Sequence, residues 1–534
     1  MINYNKIFLS ILFLGSLLIC ACEKDILKEE PEGFLGPDNT FKDKAGFESA
    51  IANLYRLGRA LRTVEELSGE GDKKITAIYG AGTDLGWYWD KKLNYGDYSI
   101  INPTDGLATD YWNLLFKLVK DCNIIITRLE TSPLSENDKQ VMGAYAKFFR
   151  AYAYRFLVYL WGDVPLITEE ITRPKFDFVR APKSEVLSLM ISDLEFAVKY
   201  LPVVNPGNGG LAKAAADHFL AETYISTGEF DKAIEAAGRV INDGQYKLMT
   251  NRFGSLLPKP GDVFWDLFRI GNQNKNAGNT ESILVWQMEF GLPGGDVAYT
   301  FEREWAPYIE VLVDSDKKKA ILPADSLGRG VGFFTPSPYM ETEIWQSDFQ
   351  NDIRNSVYNM QREFYNNNPA SREFGKVIKP TPDLINRSYH VWVKKASSPH
   401  GHPQGYDVNG RLYTDIYALR LAETYLIRAE AYFRKGDKAK AADDLNVIRT
   451  RAKATPVDPS KVDINYILDE RARELVGEEP RRLTLSRMGV LYERVIKYNA
   501  VSKASIKPFH NLLPIPQNAI DANSGAELKQ NEGY

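Results

Sequence analysis

Three cysteines in 534 residues cannot build a disulfide framework. Five histidines leave little material for a His-based metal centre. An excess of one charge is missing too: 66 Lys plus Arg stand against 70 Asp plus Glu, a formal net charge of −4. Such a chain has no general attraction for nucleic acid, which needs a basic face. No run approaches the roughly 20 apolar residues of a membrane span. The chain also has no G-x-S-x-G elbow, no H-E-x-x-H helix and no P-loop. Gly328-Arg329-Gly330-Val331-Gly332 lacks the strand-to-helix setting of a dinucleotide loop, and Asp407-Val408-Asn409-Gly410 lacks the later ligands of an EF-hand.

What is abundant is aromatic: 9 Trp, 29 Tyr and 26 Phe, 12% of the chain. The N-terminus is equally distinctive. Lys6 precedes an apolar run of 13 residues, Ile7 to Ile19, which fits a signal peptide over residues 1–21. Ala21-Cys22 then resembles a bacterial lipobox, making Cys22 the lipidated residue of the mature chain. Cys20 is the poorer candidate because branched Ile19 sits where cleavage needs a small side chain. Several acyl chains anchor firmly where one is marginal, at about 0.8 kcal/mol per buried CH₂. Glu23-Lys24-Asp25 is similar to the surface-export signal of Bacteroidetes lipoproteins. Residues 22–37 read as lipidated N-terminus and tether, and 38–534 as one domain.

That domain repeats itself. Ala221, Glu222, Tyr224, Gly228, Lys232 and Ala233 return at a constant offset as Ala429, Glu430, Tyr432, Gly436, Lys440 and Ala441. Small residues let two helices approach, the tyrosine packs across the pair, and the glycine ends the first helix in a left-handed conformation. This is the logic of the tetratricopeptide (TPR) helix-turn-helix. The expected fold is mainly α, with four degenerate TPR units at about 43–131, 136–201, 211–243 and 417–452. Helices are expected near 43–62, 108–131, 136–161, 183–201 and 463–477, with 136–161 central because it is apolar almost all round after Met142. Residues 250–415 form a long loop-rich insertion with short strand-like runs, Ser282–Phe290 and Tyr389–Lys394, and a segment of that kind is usually functional. A loop-rich C-terminal segment completes the chain to Tyr534.

A family resemblance is carried by several motifs together. Arg150-Ala151-x2-Tyr154, Leu157-Val158 and Trp161-Gly162-Asp163-Val164-Pro165-Leu166 form one. Arg420-Leu421-Ala422-Glu423 running into Arg428-Ala429-Glu430-Ala431-Tyr432, then Leu445-Asn446-x-Ile448-Arg449-x-Arg451-Ala452, form a second. Asp469-Glu470-Arg471-x2-Glu474-Leu475-x2-Glu478, Arg481 and Arg487-x-Gly489 form a third. Leu513-Pro514-Ile515-Pro516-Gln517, Asn523 and Gln530-Asn531-x-Gly533-Tyr534 close the chain. Across essentially the whole mature length this resembles the starch-utilisation-system D (SusD/RagB) family of nutrient-binding surface lipoproteins. Arg482, Leu483 and Thr484 depart from the family's aromatic pair and aspartate, and Glu532 from its proline, which should alter local packing or salt bridges only. The signature residues themselves are expected to build helices and their junctions.

The resemblance implies an outer-membrane protein, lipid-anchored and facing the exterior. It would capture an oligosaccharide and deliver it to a SusC-like TonB-dependent transporter, acting as the transporter's lid, with no enzymatic step and no cofactor or metal. Peptide or glycopeptide capture by the same lid is the alternative. A TPR scaffold is disfavoured by the aromatic insertion, and a glycoside hydrolase has no positive sign beyond plentiful carboxylates.

Sugars offer apolar C–H faces to aromatic rings and hydroxyls to polar neighbours. The richest cluster is Asp84-Leu85-Gly86-Trp87-Tyr88-Trp89-Asp90, followed by Lys91, Lys92, Asn94 and Tyr95. Trp87, Tyr88, Trp89, Asp90 and Tyr95 are therefore ligand candidates. In an extended stretch Trp87 and Trp89 share one face. The insertion adds Tyr299, Trp305, Tyr339 and Trp345. Trp265 and Trp286 sit in hydrophobic runs and are expected in the core; Trp392 is open. His400 and His402 read as a solvated loop pair, and Asn386-Arg387-Ser388 as a formal sequon of little meaning in a bacterium.

Overall fold

The computed structural model describes residues 40–69, 71–90, 95–205, 207, 209–322, 324, 327–382, 385–395, 397 and 409–534. The signal peptide, Cys22, the tether, Lys91, Lys92, Asn94, His400, His402 and Asp407 lie outside the described residues.

Helices dominate. We label the principal ones α1 (Lys44–Ala60), α2 (Gly71–Tyr79), α3 (Gly106–Thr131), α4 (Glu136–Trp161), α5 (Lys183–Tyr200), α6 (Lys213–Thr227), α7 (Phe230–Ile241), α8 (Leu421–Lys435), α9 (Lys438–Arg451), α10 (Ile464–Leu475), α11 (Arg481–Met488) and α12 (Leu491–Tyr498). Their starts are written in the sequence. Asp43 accepts from the Gly46 amide, Asp105 from Leu107 and Ala108, Ser135 from Asp138, and Asp463 from Tyr466. The helices stack in order. α3 packs on α4, α4 on α5, α5 on α6, α6 on α7 and α7 on α8, while α1 closes against α3 and α4. α4 is central, and nearly every residue from Met142 to Trp161 is buried. Gly162, at φ 76°, ends it.

The repeated motif does the same work twice. Gly228 and Gly436 adopt φ 82° and 93°, conformations that cost other residues. The Glu229 amide reaches the Tyr224 carbonyl at 2.8 Å, and the Asp437 amide reaches that of Tyr432 at 2.9 Å. Lys232 lies 5.3 Å from the Tyr224 ring, and Lys440 lies 5.5 Å from that of Tyr432. The two repeat glutamates share one cation: Arg487 pairs with Glu430 and lies 3.9 Å from Glu222.

The insertion is clamped at its ends. Strand β2 (Ser282–Trp286) pairs antiparallel with β4 (Ile416–Arg420), Ser282 opposite Arg420 and Trp286 opposite Ile416. A second pair joins β1 (Gly86–Tyr88) to β3 (Phe334–Pro336). Two-residue pairings link Val164–Pro165 to Arg180–Ala181 and Met360–Gln361 to Trp392–Val393.

The signature residues are mostly interior. Arg150 grips Asp193 through two bonds of 2.7 and 2.8 Å, and Arg155 grips Glu222 at 2.6 and 2.8 Å. The Trp161 Nε1 donates to the Pro514 carbonyl at 2.8 Å, tying the terminal motif to α4. Arg420 donates to Glu281, Glu474 and Glu478, each at 2.6 Å. Glu474 also accepts from Arg354 at 2.9 Å and from Arg451. Burial alone would raise the Glu474 carboxyl, but Arg451, Arg420 and Arg354 hold it well below the usual carboxylate range.

Residues 481–498 are more helical than the sequence patterning implies. α11 has little apolar periodicity and is carried by buried arginines instead. Arg481 bonds Asp84 and Glu479; Arg482 stands 4.4 Å from the Tyr95 ring and donates to the carbonyl of Ala77 at 3.1 Å. Arg482 is thus an interior position, 1% exposed.

Candidate functional site

The Asp84–Asp90 segment is anchored before it can present anything. Asp84 is fully buried and accepts from Arg481 Nε at 3.0 Å, Arg481 Nη2 at 2.7 Å and Arg494 Nε at 2.8 Å. Burial would raise its carboxyl; the Arg481 and Arg494 guanidiniums overcome that and hold it down at about 2. The Asn499 Nδ2 bridges the carbonyls of Thr83 and Gly86, each at 2.8 Å. Ser337 donates to the Asp84 and Leu85 carbonyls, also at 2.8 Å. Gly86 has a packing reason to be glycine, because a Cβ there would lie 2.2 Å from the Thr335 carbonyl oxygen.

From this root β1 runs out along β3. Gly86 faces Pro336, Trp87 faces Thr335 and Tyr88 faces Phe334, and the Trp89 amide extends the ladder to the Phe333 carbonyl at 3.0 Å. Exposure alternates as the pleat requires: Gly86 and Tyr88 are buried, Trp87 and Trp89 half-buried. Tyr88 points inward, and burial pushes its phenol up to about 12 against the opposing influence of Trp89 and Arg387.

A third segment completes the shelf. The Asn386 Oδ1 accepts from Trp87 Nε1 at 3.4 Å, and its Nδ2 donates to the Trp89 carbonyl at 3.3 Å. The Arg387 guanidinium lies 4.1 Å from the Trp89 ring centroid and 5.0 Å from that of Tyr308. Three bonds fix the 386–387 backbone and side chain: Thr335 Oγ1 to the Asn386 carbonyl at 2.8 Å, the Tyr308 amide to the Arg387 carbonyl at 2.9 Å, and Arg387 Nε to the Val331 carbonyl at 3.0 Å. Gly332, at φ 66°, lets the chain pass; a Cβ would sit 2.3 Å from the Arg387 carbonyl oxygen. Two indoles, a phenol, an amide and a guanidinium thus meet on one surface. Asp90, beside them, favours the charged form of Lys73, which burial lowers.

The other sequence candidates are placed elsewhere. Tyr95, Tyr299, Trp305, Tyr339 and Trp345 are all at most 3% exposed, and Tyr88 is 1% exposed. A ring so enclosed cannot stack on a sugar, so the structure assigns these six to packing. Tyr95 donates to the Asp105 cap at 3.0 Å. Tyr299 accepts from Arg62 at 3.1 Å. Trp305 lies 4.3 Å from the Phe334 ring, and Tyr339 bonds Asp469 and Arg494. Trp345 donates to the Met340 carbonyl at 3.3 Å. Trp265, Trp286 and Trp392 are buried as well. Sequence reasoning did not join Tyr308, Asn386 and Arg387 to the shelf, although the last two stand out there as part of a sequon.

Cavities among the described residues lie apart from the shelf. One of about 380 Å³ is lined by Tyr55, Arg56, Arg59, Trp286 and Gln287. Another, about 300 Å³ and largely apolar, lies among Trp112, Phe116, Phe176, Phe178 and Leu528. Among the described residues no group of three or more His, Cys, Asp or Glu is placed to hold a metal ion. No helix there is long and apolar enough to cross a membrane.

Comparison with known proteins places this architecture. A model of the SusD family matches residues 334–534, and a second, described as starch-binding associating with outer membrane, matches residues 37–225. The starch-binding protein SusD of Bacteroides thetaiotaomicron is 40% identical over 436 residues, covering 76% of this chain and 75% of that protein. The chain belongs to the SusD family. SusD-like protein P25 of Formosa agariphila is 24% identical with 96% of each chain covered. Among solved structures, a laminarin-binding SusD-like protein superposes with a TM-score of 0.70 at 22% identity, covering 92% of this chain and all of its own. The surface glycan-binding protein A of Bacteroides thetaiotaomicron, solved with laminarihexaose, gives 0.69 at 20% identity, with 91% and 98% covered. The SusD-like frame therefore holds a shelf built from β1, β3 and residues 386–387.

Proposed function

We propose that this SusD-family chain is a cell-surface glycan-binding lipoprotein, with no catalytic step of its own. It captures an oligosaccharide and delivers it to a SusC-like TonB-dependent transporter of the outer membrane, for which it acts as the lid. Lipidation at Cys22 would hold it on the exterior face. The observation that carries the reading is the half-buried pair Trp87 and Trp89, on one side of β1 and bordered by Asn386 and Arg387. Flat rings cover the apolar faces of a sugar, while the amide and guanidinium reach its hydroxyls. The family model for residues 37–225 and the laminarin- and laminarihexaose-binding neighbours support this choice of ligand. Of the original candidates, Trp87 and Trp89 form the proposed contact, with Asp90 at its edge.

Each stacked ring that removes about 80 Å² of apolar surface contributes roughly 2 kcal/mol before ordering costs. Two rings give weak to moderate affinity, suited to capture and release. The test is migration through gels cast with neutral and acidic polysaccharides. Retardation that disappears in a Trp87→Ala, Trp89→Ala double variant supports glycan capture. Binding of peptides, with no retardation by any glycan, would replace it with peptide capture by the same lid.

A further inference from the structure

Among the described residues, Arg303, Arg329 and Lys73 near the shelf are each matched by a carboxylate, and Arg387 is not. Arg303 pairs with Asp72, Arg329 lies 3.0 Å from Glu310, and Asp90 favours the charge of Lys73. Arg387 has no carboxylate partner among the described residues. Its Nε donates to the Val331 carbonyl at 3.0 Å, while Nη1 and Nη2 make no hydrogen bond to a described residue. The groups that favour its charge are the rings of Tyr308 and Tyr88, set against a burial that lowers it. Many buried arginines of this chain, Arg150, Arg155, Arg354, Arg420 and Arg481 among them, grip at least one carboxylate, and Arg269, which does not, spends both terminal nitrogens on the carbonyls of Ser397, Lys394 and Lys395. The Arg387 guanidinium also lies 4.1 Å from the Trp89 ring centroid, with its Nε tied to the Val331 carbonyl. A planar fork with its two terminal nitrogens unused is a receptor for a two-oxygen anion.

Building on the glycan reading above, we propose that the ligand is an acidic glycan, whose carboxylate or sulfate is taken by Arg387 while an adjoining ring stacks on Trp87 or Trp89. A neutral sugar would leave the guanidinium charge uncompensated in a half-buried setting. An acidic one supplies the partner that the fold omits.

The experiment compares retardation in gels containing polygalacturonate (carboxylate), carrageenan (sulfate) and laminarin (neutral), for the unaltered chain, Arg387→Gln and Arg387→Lys. The chain carries a net charge of −4, so general attraction to a polyanion does not mimic the effect. We expect retention on one of the two acidic gels, weakened by added salt, and lowered about tenfold to a hundredfold by Arg387→Gln. Arg387→Lys should keep part of it, and the Trp87→Ala, Trp89→Ala variant should lose it. Which acidic gel retains the protein tells carboxylate from sulfate. Retention on laminarin equal to or stronger than on both acidic gels would overturn the acidic-ligand proposal and leave glycan capture standing. So would an Arg387→Gln variant that keeps its melting temperature and its acidic-gel retention. Retention on no gel overturns both.

Discussion

Trp87 and Trp305 come from equally polar, loop-like stretches, yet one forms a surface and the other a core. Trp305 follows Arg303 and Glu304; Trp87 is followed within three residues by Asp90. The difference is made by partners far away in the chain. Trp305 is fully buried against Phe301 and Phe334; Gly80 leaves room for its ring and Gly477 for that of Phe301. Trp87 lies on a strand whose other face, through Tyr88, already fills the interior, so the pleat turns it outward. Burial of an aromatic ring here depends on strand parity and on glycines up to some two hundred residues away, not on local composition.

The sharpest way to break the contrast is Trp305→Ala. Removing a fully buried indole should cost about 3–5 kcal/mol of stability. If Trp305 is a core residue only, glycan affinity measured well below the melting temperature should change less than about twofold. A loss of binding with an unchanged melting temperature would move Trp305 into the site. The next effect belongs to Asp84, which ties the shelf to the core. Asp84→Asn keeps one acceptor but leaves the Arg481 and Arg494 charges poorly matched, so about 3 kcal/mol should be lost. Both stability and binding should fall. Because the Asp84 carboxyl is depressed in the fold, its contribution is complete above its unfolded value near 3.8 and is lost as the pH falls through about 2. Acid titration of the parent and the variant should therefore converge over that window.

Trp87→Ala and Trp89→Ala should invert the Trp305 result. Each ought to weaken binding by up to about 2 kcal/mol, roughly thirtyfold, and shift stability by no more than about 1 kcal/mol. Isothermal titration paired with thermal melts separates the two readouts. A large stability loss without a binding change would return the indoles to packing.

Legibility followed the range of the interaction. α4 was readable almost to the residue because its signals are local, a long apolar face and Gly162 as a stop, and α3 within two residues at its start. The TPR repeat was readable because its glycine, tyrosine and small residues act within one helix pair. α11 was not, since it rests on arginines whose carboxylates lie elsewhere, such as Arg481 with Asp84 397 positions away. In the site, the alternation of Trp87 and Trp89 follows from strand geometry alone. Arg387 and Tyr308 could not be joined to them, because the contacts that bring those three segments together run between positions more than seventy residues apart.

The smallest effect tests that joining directly. Asn386 bonds the Trp87 indole and the Trp89 backbone, but its bonds are long, 3.4 Å from Trp87 Nε1 and 3.3 Å to the Trp89 carbonyl. Long, half-exposed bonds of this kind contribute at the low end of the usual range, about 0.5–1 kcal/mol. Asn386→Ala should therefore reduce glycan affinity about two- to fivefold and leave the melting temperature within about 2 °C. The mechanism would be a looser indole orientation, so Asn386→Ala combined with Trp87→Ala should cost less than the sum of the two single changes. Strict additivity in that double-mutant cycle would mean that Asn386 acts on the ligand itself, as a hydroxyl partner, and not by holding the ring in place.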